Sequence, residues 1–64
     1  MALKLLLTTE VAARLRLPES TIRYWRHAGY GPPSAKIGRR VLYDEAALDE
    51  WIAQHFEQAD GTTP

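Results

Sequence analysis

The sequence contains no cysteine among its 64 residues, so it holds neither a disulfide framework nor a thiolate metal site. Long apolar runs are missing as well. The N-terminal stretch MALKLLL is shorter than the core of a signal peptide, and no stretch approaches the roughly 20 apolar residues of a membrane span. A chain of this length forms one domain with a small core. These absences predict a soluble protein of the reducing cytoplasm.

The groups that enzymes need are absent too. Adjacent helix positions point in different directions, so Asp49 and Glu50 do not form an acid–base pair. His27 and His55 have no third ligand at a spacing suited to a metal. No nucleophile lies in a pattern with a base, and no glycine-rich phosphate loop occurs. We therefore expect no catalytic activity, no cofactor, no bound metal and no small-molecule substrate.

The net charge is zero, but the charges are divided along the chain. Residues 1–43 hold all eight lysines and arginines and two acids, whereas residues 44–64 hold six acids and neither lysine nor arginine. A basic body is suited to attract phosphate groups. The acidic segment is expected to face away from nucleic acid, or toward a basic surface on another protein. A chance division of solvated charges is the alternative, but such asymmetry favours a nucleic-acid partner.

Two short helices are predicted in the N-terminal half. The first covers Thr9 to Arg14, where a threonine hydroxyl caps the start and the apolar residues recur at helical spacing. Arg16-Leu17-Pro18 forms the turn, because proline cannot continue one helix but suits the first position of the next. The second helix begins at Pro18 or Glu19 and ends at His27 or Ala28, before Gly29 as a left-handed C-cap.

A hairpin is predicted after the second helix. Ser34 to Ile37 and Arg40 to Tyr43 suit two strands, and Gly38-Arg39 between them suits a two-residue turn. Leu3 to Leu7 are interpreted as an extended lead-in that covers the core, with pairing as an edge strand as one option.

A third helix is predicted from Glu45 to Phe56, with Asp44 as its cap. The predicted fold is therefore mainly α with a small β-hairpin. It is a winged helix-turn-helix: helix, turn, recognition helix, β-hairpin wing and C-terminal helix. Residues 1–57 form the domain, and residues 58–64 form a flexible polar tail.

The second helix has two different faces. Ile22 and Trp25 fall on one side, and Trp25 and Trp51 are expected to be the large anchors of the core rather than platforms for unpaired bases. The opposite side is polar. An α-helix fits the major groove of DNA, where arginine reads guanine at two points. The predicted major-groove residues are Ser20, Thr21, Arg23, Tyr24 and His27, and Arg26 is expected to contact the DNA backbone.

The hairpin carries three positive charges within five residues. Arg39 at its tip is predicted to enter the minor groove, which concentrates negative potential. Lys36 and Arg40 flank it and are expected to meet phosphates. The alternative is that a charged turn serves only to keep an edge hairpin from aggregating.

Four stretches of the sequence resemble phage excisionases (recombination directionality factors), within the wider MerR-like winged-helix group. They are LLTTEVAARL, STIRYWR, GPPSAKIGRRVLY and DEAALDEWI, which together span about Leu6 to His55. The turn departs from the wider group, because Arg16 and Pro18 stand where Gly and Ser are frequent. Terminase small subunits and small prophage regulators look similar.

The resemblance implies a protein of the bacterial host cytoplasm, associated with the nucleoid. It would bind repeated sites on double-stranded DNA cooperatively and head to tail, bend the DNA, and bias a phage integrase of the tyrosine recombinase class toward excision. In the resemblance, Ser20, Arg23, Tyr24 and His27 enter the major groove and Arg39 reaches the minor groove. A transcription regulator, a terminase-like packaging module and a pure protein-interaction module remain as alternatives.

Overall fold

The computed structural model describes the backbone of residues 3–60, which forms three helices and three strands. The order along the chain is β1 (Leu5–Leu7), α1 (Thr8–Leu15), α2 (Glu19–Ala28), β2 (Ser34–Ile37), β3 (Arg40–Asp44) and α3 (Glu45–Asp60). This order is a helix-turn-helix followed by a β-hairpin wing and a C-terminal helix. The predicted winged helix-turn-helix fold is confirmed. None of the helices described is both long and apolar enough to cross a membrane.

The three strands form one antiparallel sheet with β3 in the middle. The leucine-rich lead-in does form an edge strand, since Leu6 of β1 pairs with Tyr43 of β3. The other edge is β2, which joins β3 through the predicted two-residue turn. Gly38 takes a φ of +64° at the first turn position, which a side chain would disfavour.

Alternation along the strands gives the sheet an inner and an outer face. Leu6 and Tyr43 point to the inner face, where each is 2% exposed. The residues that alternate with them point outward. Among these, Leu5 of β1 and Ile37 of β2 are 46% and 56% exposed. The outer sheet face is therefore largely apolar, and its apolar side chains include Leu3, Leu5, Ala35, Ile37 and Leu42. Asp44 of β3 and Ala47 of α3 line the same depression.

The core is small and draws on every helix. Val11 of α1, Ile22 of α2 and Leu48 of α3 are at most 1% exposed, and Leu6, Ala12 and Tyr43 complete the cluster. The two tryptophans pack against this core, as expected, but they are not enclosed in it. Trp25 and Trp51 are half-buried and pack against its edge. Indoles are rarely enclosed completely, and six smaller side chains already fill the centre.

The first helix begins differently from the prediction. No threonine hydroxyl caps it, because β1 runs directly into α1 and leaves Leu7 at the N-cap position. The side chain of Glu10 replaces the cap, and its Oε1 accepts the Leu7 backbone N–H at 2.7 Å. The helix is also one residue longer at each end, from Thr8 to Leu15.

Helices α1 and α2 end in the same way, with a residue in the left-handed conformation. At the end of α2 this residue is Gly29 (φ +74°), as predicted, and the Tyr30 N–H donates to the Trp25 carbonyl. At the end of α1 it is Arg16, with φ +59° and ψ +42°. The Leu17 N–H donates to the Ala12 carbonyl at 3.0 Å. Arg16 thus adopts the conformation that glycine adopts most easily.

The third helix is four residues longer than predicted and continues to Asp60. Glu57, Gln58 and Ala59 all have high intrinsic helix propensity, which the loop-like composition of the following residues masked in the sequence. The first part of the predicted tail is therefore helical. The rest of it, residues 61–64, lies outside the described residues.

The backbone of Arg16 generates a stability prediction. Replacing Arg16 with glycine should leave the domain more stable than replacing it with alanine, by about 1 kcal/mol, because only alanine keeps a Cβ in the left-handed region. Both variants lose the same charge and side chain, so each controls for the other. Urea unfolding monitored by tryptophan fluorescence measures the difference. Equal stabilities would show that this end of α1 does not hold a positive φ in solution.

Candidate nucleic-acid interface

An open groove of about 500 Å³ separates helix α2 from the wing. Residues of α2 form one wall and inner-face residues of the hairpin form the other, with the first residue of α1 beside them. Four of its side chains are cationic and one is acidic. The lining residues are Thr8, Glu19, Arg23, Arg26, Ser34, Lys36, Arg39 and Val41. We call this the basic groove.

Helix α2 turns its polar face outward beside the basic groove. Burial of Ile22, at 1% exposure, fixes the rotation of the helix. Most of the residues predicted to contact bases are consequently exposed: Ser20, Arg23, Tyr24 and His27. Tyr24 is the most open of the large ones, with 69% of its surface accessible. Thr21 differs, since it is half-buried and its backbone N–H donates to the Pro18 carbonyl at 3.0 Å.

Arg23 has a partner that the sequence analysis missed. Its Nη2 donates to Oε2 of Glu19 at 2.6 Å, one helical turn earlier. The signal was present in the sequence, because an acid four residues before a base on a helix is a favourable pair. Glu19 is therefore part of the surface that carries Arg23, and it lies in the basic groove.

The wing divides its three cations between two grooves. Lys36 and Arg39 line the basic groove opposite Arg23 and Arg26. Arg40 lies instead in a neighbouring depression of about 320 Å³, where Thr8, Thr9 and Arg23 also contribute. The two threonines are a second omission of the sequence analysis, which treated them only as a helix start. The fold brings them to this surface because β1 pairs with β3 immediately before them.

The charges that are divided along the sequence also lie on different surfaces of the fold. Arg14 of α1 forms ion pairs with two acids of α3, donating to Glu45 Oε2 and lying 3.7 Å from Asp49 Oδ1. Lys4 Nζ lies 3.9 Å from the same Glu45 oxygen. Lys4 and Arg14 are thus paired with acids of α3. Five others remain together on the side formed by α2 and the wing: Arg23, Arg26, Lys36, Arg39 and Arg40.

An aromatic cluster holds the C-terminal end of α2 against α3. The ring of Trp25 lies 5.3 Å from Tyr30, edge to face, and 5.7 Å from Trp51. His55 joins the cluster by stacking on Trp51 and by a 3.2 Å hydrogen bond to the Tyr30 hydroxyl. A Cβ at Gly31 would lie 3.2 Å from the Trp25 ring, so the loop must pass it closely. The indoles therefore pack on protein side chains, as expected of residues beside the core.

The two histidines that the sequence analysis considered as metal ligands lie apart in the structure. Among the residues that the structure describes, no three His, Cys, Asp or Glu side chains come together as a possible metal site. His27 lies on the exposed face of α2, whereas His55 belongs to the aromatic cluster.

Comparison with known proteins returns one match. Residues 5–55 match the family model described as "Helix-turn-helix domain". The matched range begins at β1 and ends within α3, so it covers the basic groove and both of its walls. No curated protein and no solved structure matches the chain.

Arg39 at the wing tip provides a test of the groove. We expect Arg39→Ala to lower the affinity for a duplex with a central A·T tract about five- to tenfold. The magnitude of the slope of log K against log salt should fall by about 1. Lys4→Ala is the matched control, because it removes one charge outside the basic groove. Fluorescence anisotropy titrations at several salt concentrations measure both quantities. An equal effect of the two substitutions would exclude a specific role for the wing.

Proposed function

The chain belongs to the helix-turn-helix domain family, a family of DNA-binding proteins, and we propose that it acts as an excisionase. In this role it binds attachment-site DNA sequence-specifically, bends it, and directs a phage integrase toward prophage excision. The observation that carries the proposal is the basic groove, where Arg23 and Arg26 of α2 face Lys36 and Arg39 of the wing. Such a surface suits a duplex that is contacted in two grooves at once.

Helix α2 has the dimensions and side chains for the major groove. That groove is about 12 Å wide and admits an α-helix. Arg23 and Tyr24 are exposed on the outward face, next to Ser20 and His27. We assign base contacts to these four residues and backbone contacts to Arg26 and Thr21. The half-buried Thr21 hydroxyl is suited to a phosphate rather than to a base edge.

The wing suits the minor groove. Its turn has two residues, so the tip is thin enough for a groove about 6 Å wide, and it carries Arg39. Lys36 and Arg40 flank the tip and are assigned to phosphates. A protein that occupies adjacent major and minor grooves with cations on one side favours bending of the duplex toward itself, since deformable sequences then gain further contacts.

Specificity requires more than one copy of so small a protein. A single module of this kind buries about 600–1,000 Å² on DNA and reads few bases. Head-to-tail contact between copies on adjacent sites adds affinity without new base contacts, and a heterologous contact can propagate along the duplex.

The basic body and the acidic third helix offer one pair of complementary surfaces for such a contact, but we propose an apolar surface for it. Glu45 and Asp49 already pair with Arg14, which weakens the case for a purely ionic contact through α3. The outer sheet face, which Ala47 of α3 also lines, is separate from the basic groove and shares only Ser34 with it. We assign one side of this head-to-tail contact to this face, and the other side to a different surface of the neighbouring copy.

Titration of DNA around the gene and any neighbouring attachment site tests the proposal. In a gel shift, we expect a ladder of complexes that appear over a narrow concentration range, and circularly permuted fragments should report a strong bend. An excision assay with the purified integrase then measures whether the protein directs recombination toward excision. One weakly bent complex on a palindrome would instead identify a transcription regulator. The absence of any sequence preference would contradict the proposal and favour a protein-interaction module.

The neighbour contact has its own test. We expect Ile37→Ser to lower the cooperativity between two adjacent sites at least about fivefold, while affinity for one isolated site stays within about twofold. Phe56→Ser is the matched control, because it removes a similarly exposed apolar side chain from α3. A cooperativity loss confined to Phe56→Ser would move the contact from the sheet to α3. Unchanged cooperativity in both would rule out these surfaces.

A further inference from the structure

Glu19 stands out because it is the single acid among the described residues that line the basic groove. Its side chain is 34% exposed and lies in the first turn of α2. A carboxylate at this place opposes the approach of a polyanion, because like charges brought together in an interface cost binding energy. An acid in the first turn suits the helix dipole, but that role does not require a position in the basic groove.

The carboxylate of Glu19 holds the guanidinium of Arg23. The two groups lie 2.6 Å apart, although the Arg23 side chain is 64% exposed and otherwise free to sample many rotamers. One of the five N–H donors of the guanidinium is used, so four remain. A fixed arginine with free donors is prepared for a planar acceptor pair, such as O6 and N7 of guanine.

The other cations of the basic groove have no such carboxylate partner within the part of the chain that the structure describes. Among the described residues, no carboxylate lies within 4.0 Å of Arg26, Lys36 or Arg39. Arg26 and Lys36 are therefore suited to phosphates, and Arg39 to the negative potential of the minor groove, since each of these targets attracts an unpaired cation. Arg23 is not suited to phosphates, because a phosphate that approached Arg23 would also approach Glu19. Guanine presents neutral acceptors and avoids this repulsion.

We propose that Glu19 determines the sequence specificity of this protein, by positioning Arg23 for guanine and by repelling phosphate from it. The inference rests on the proposed DNA binding and adds a residue to it. Glu19 acts on the DNA partly through Arg23, so it is a positioning residue. Its carboxylate also disfavours complexes in which the helix is not seated on its site.

Two substitutions separate positioning from repulsion. Glu19→Gln removes the charge and keeps the length, so we expect binding to a scrambled duplex to strengthen while the ratio of specific to non-specific affinity falls about five- to tenfold. Glu19→Asp keeps the charge and shortens the reach to Arg23. We expect it to lose specific affinity with no gain on the scrambled duplex. Glu50→Gln, on exposed α3, is the matched control for charge and should leave the ratio within about twofold.

The probes are duplexes that the wild-type protein recovers from a randomised library, and scrambled versions of them. Circular dichroism and thermal unfolding of each variant verify that the domain is folded. In an Arg23→Ala background, Glu19→Gln should no longer alter base preference, and guanine should be lost at one position of the recovered site. A general effect of Glu19 on helix stability would not produce this dependence on Arg23.

Each alternative result has a definite meaning. If the wild-type protein recovers a preferred sequence but Glu19→Gln and Glu50→Gln change the ratio equally, the inference about Glu19 is wrong and the proposed DNA binding stands. The same conclusion follows if Glu19→Gln changes the ratio as strongly without Arg23 as with it. If the wild-type protein recovers no preferred sequence, the proposed function and this inference fail together.

Discussion

Burial of Ile22 sets the orientation of the surface that we propose for DNA binding. Ile22 is enclosed in one cluster with Val11 and Leu48, so all three helices meet around it. Because a helix turns about 100° per residue, fixing position 22 inward leaves Arg23 and Tyr24 outward. The aromatic cluster around Trp25 then holds the far end of α2 against α3. The core is small, but it fixes the position and rotation of α2.

Electrostatics sort the cations after the core has placed them. Arg14 is drawn to Glu45 and Asp49, which ties α1 to the start of α3 and removes this charge from the DNA side. The wing brings Lys36 and Arg39 opposite α2. A chain of zero net charge thus presents a basic groove, because five of its eight acids lie on the third helix. Distribution, and not net charge, governs attraction to phosphate at short range.

Local signals predicted most of the fold correctly. Gly29 and Gly38 marked a helix end and a hairpin turn because both positions need a positive φ. Predictions failed where the outcome depended on neighbours. The start of α1 is held by Glu10 instead of a threonine, since the strand before it leaves no room for a separate cap. The tryptophans lie at the edge of the core because smaller side chains from distant elements fill its centre.

The sequence by itself determined the helices, the turn chemistry and the two-faced character of α2. These features follow from spacings of one to four residues, which backbone geometry alone controls. Only the tertiary structure decided which cations share a groove, since Arg23 and Lys36 lie on separate elements that meet through the sheet and the core. It also decided that Arg16 must adopt a left-handed conformation, and that Glu19 stands at the centre of a basic surface. Contacts between distant residues depend on packing, which no local pattern encodes.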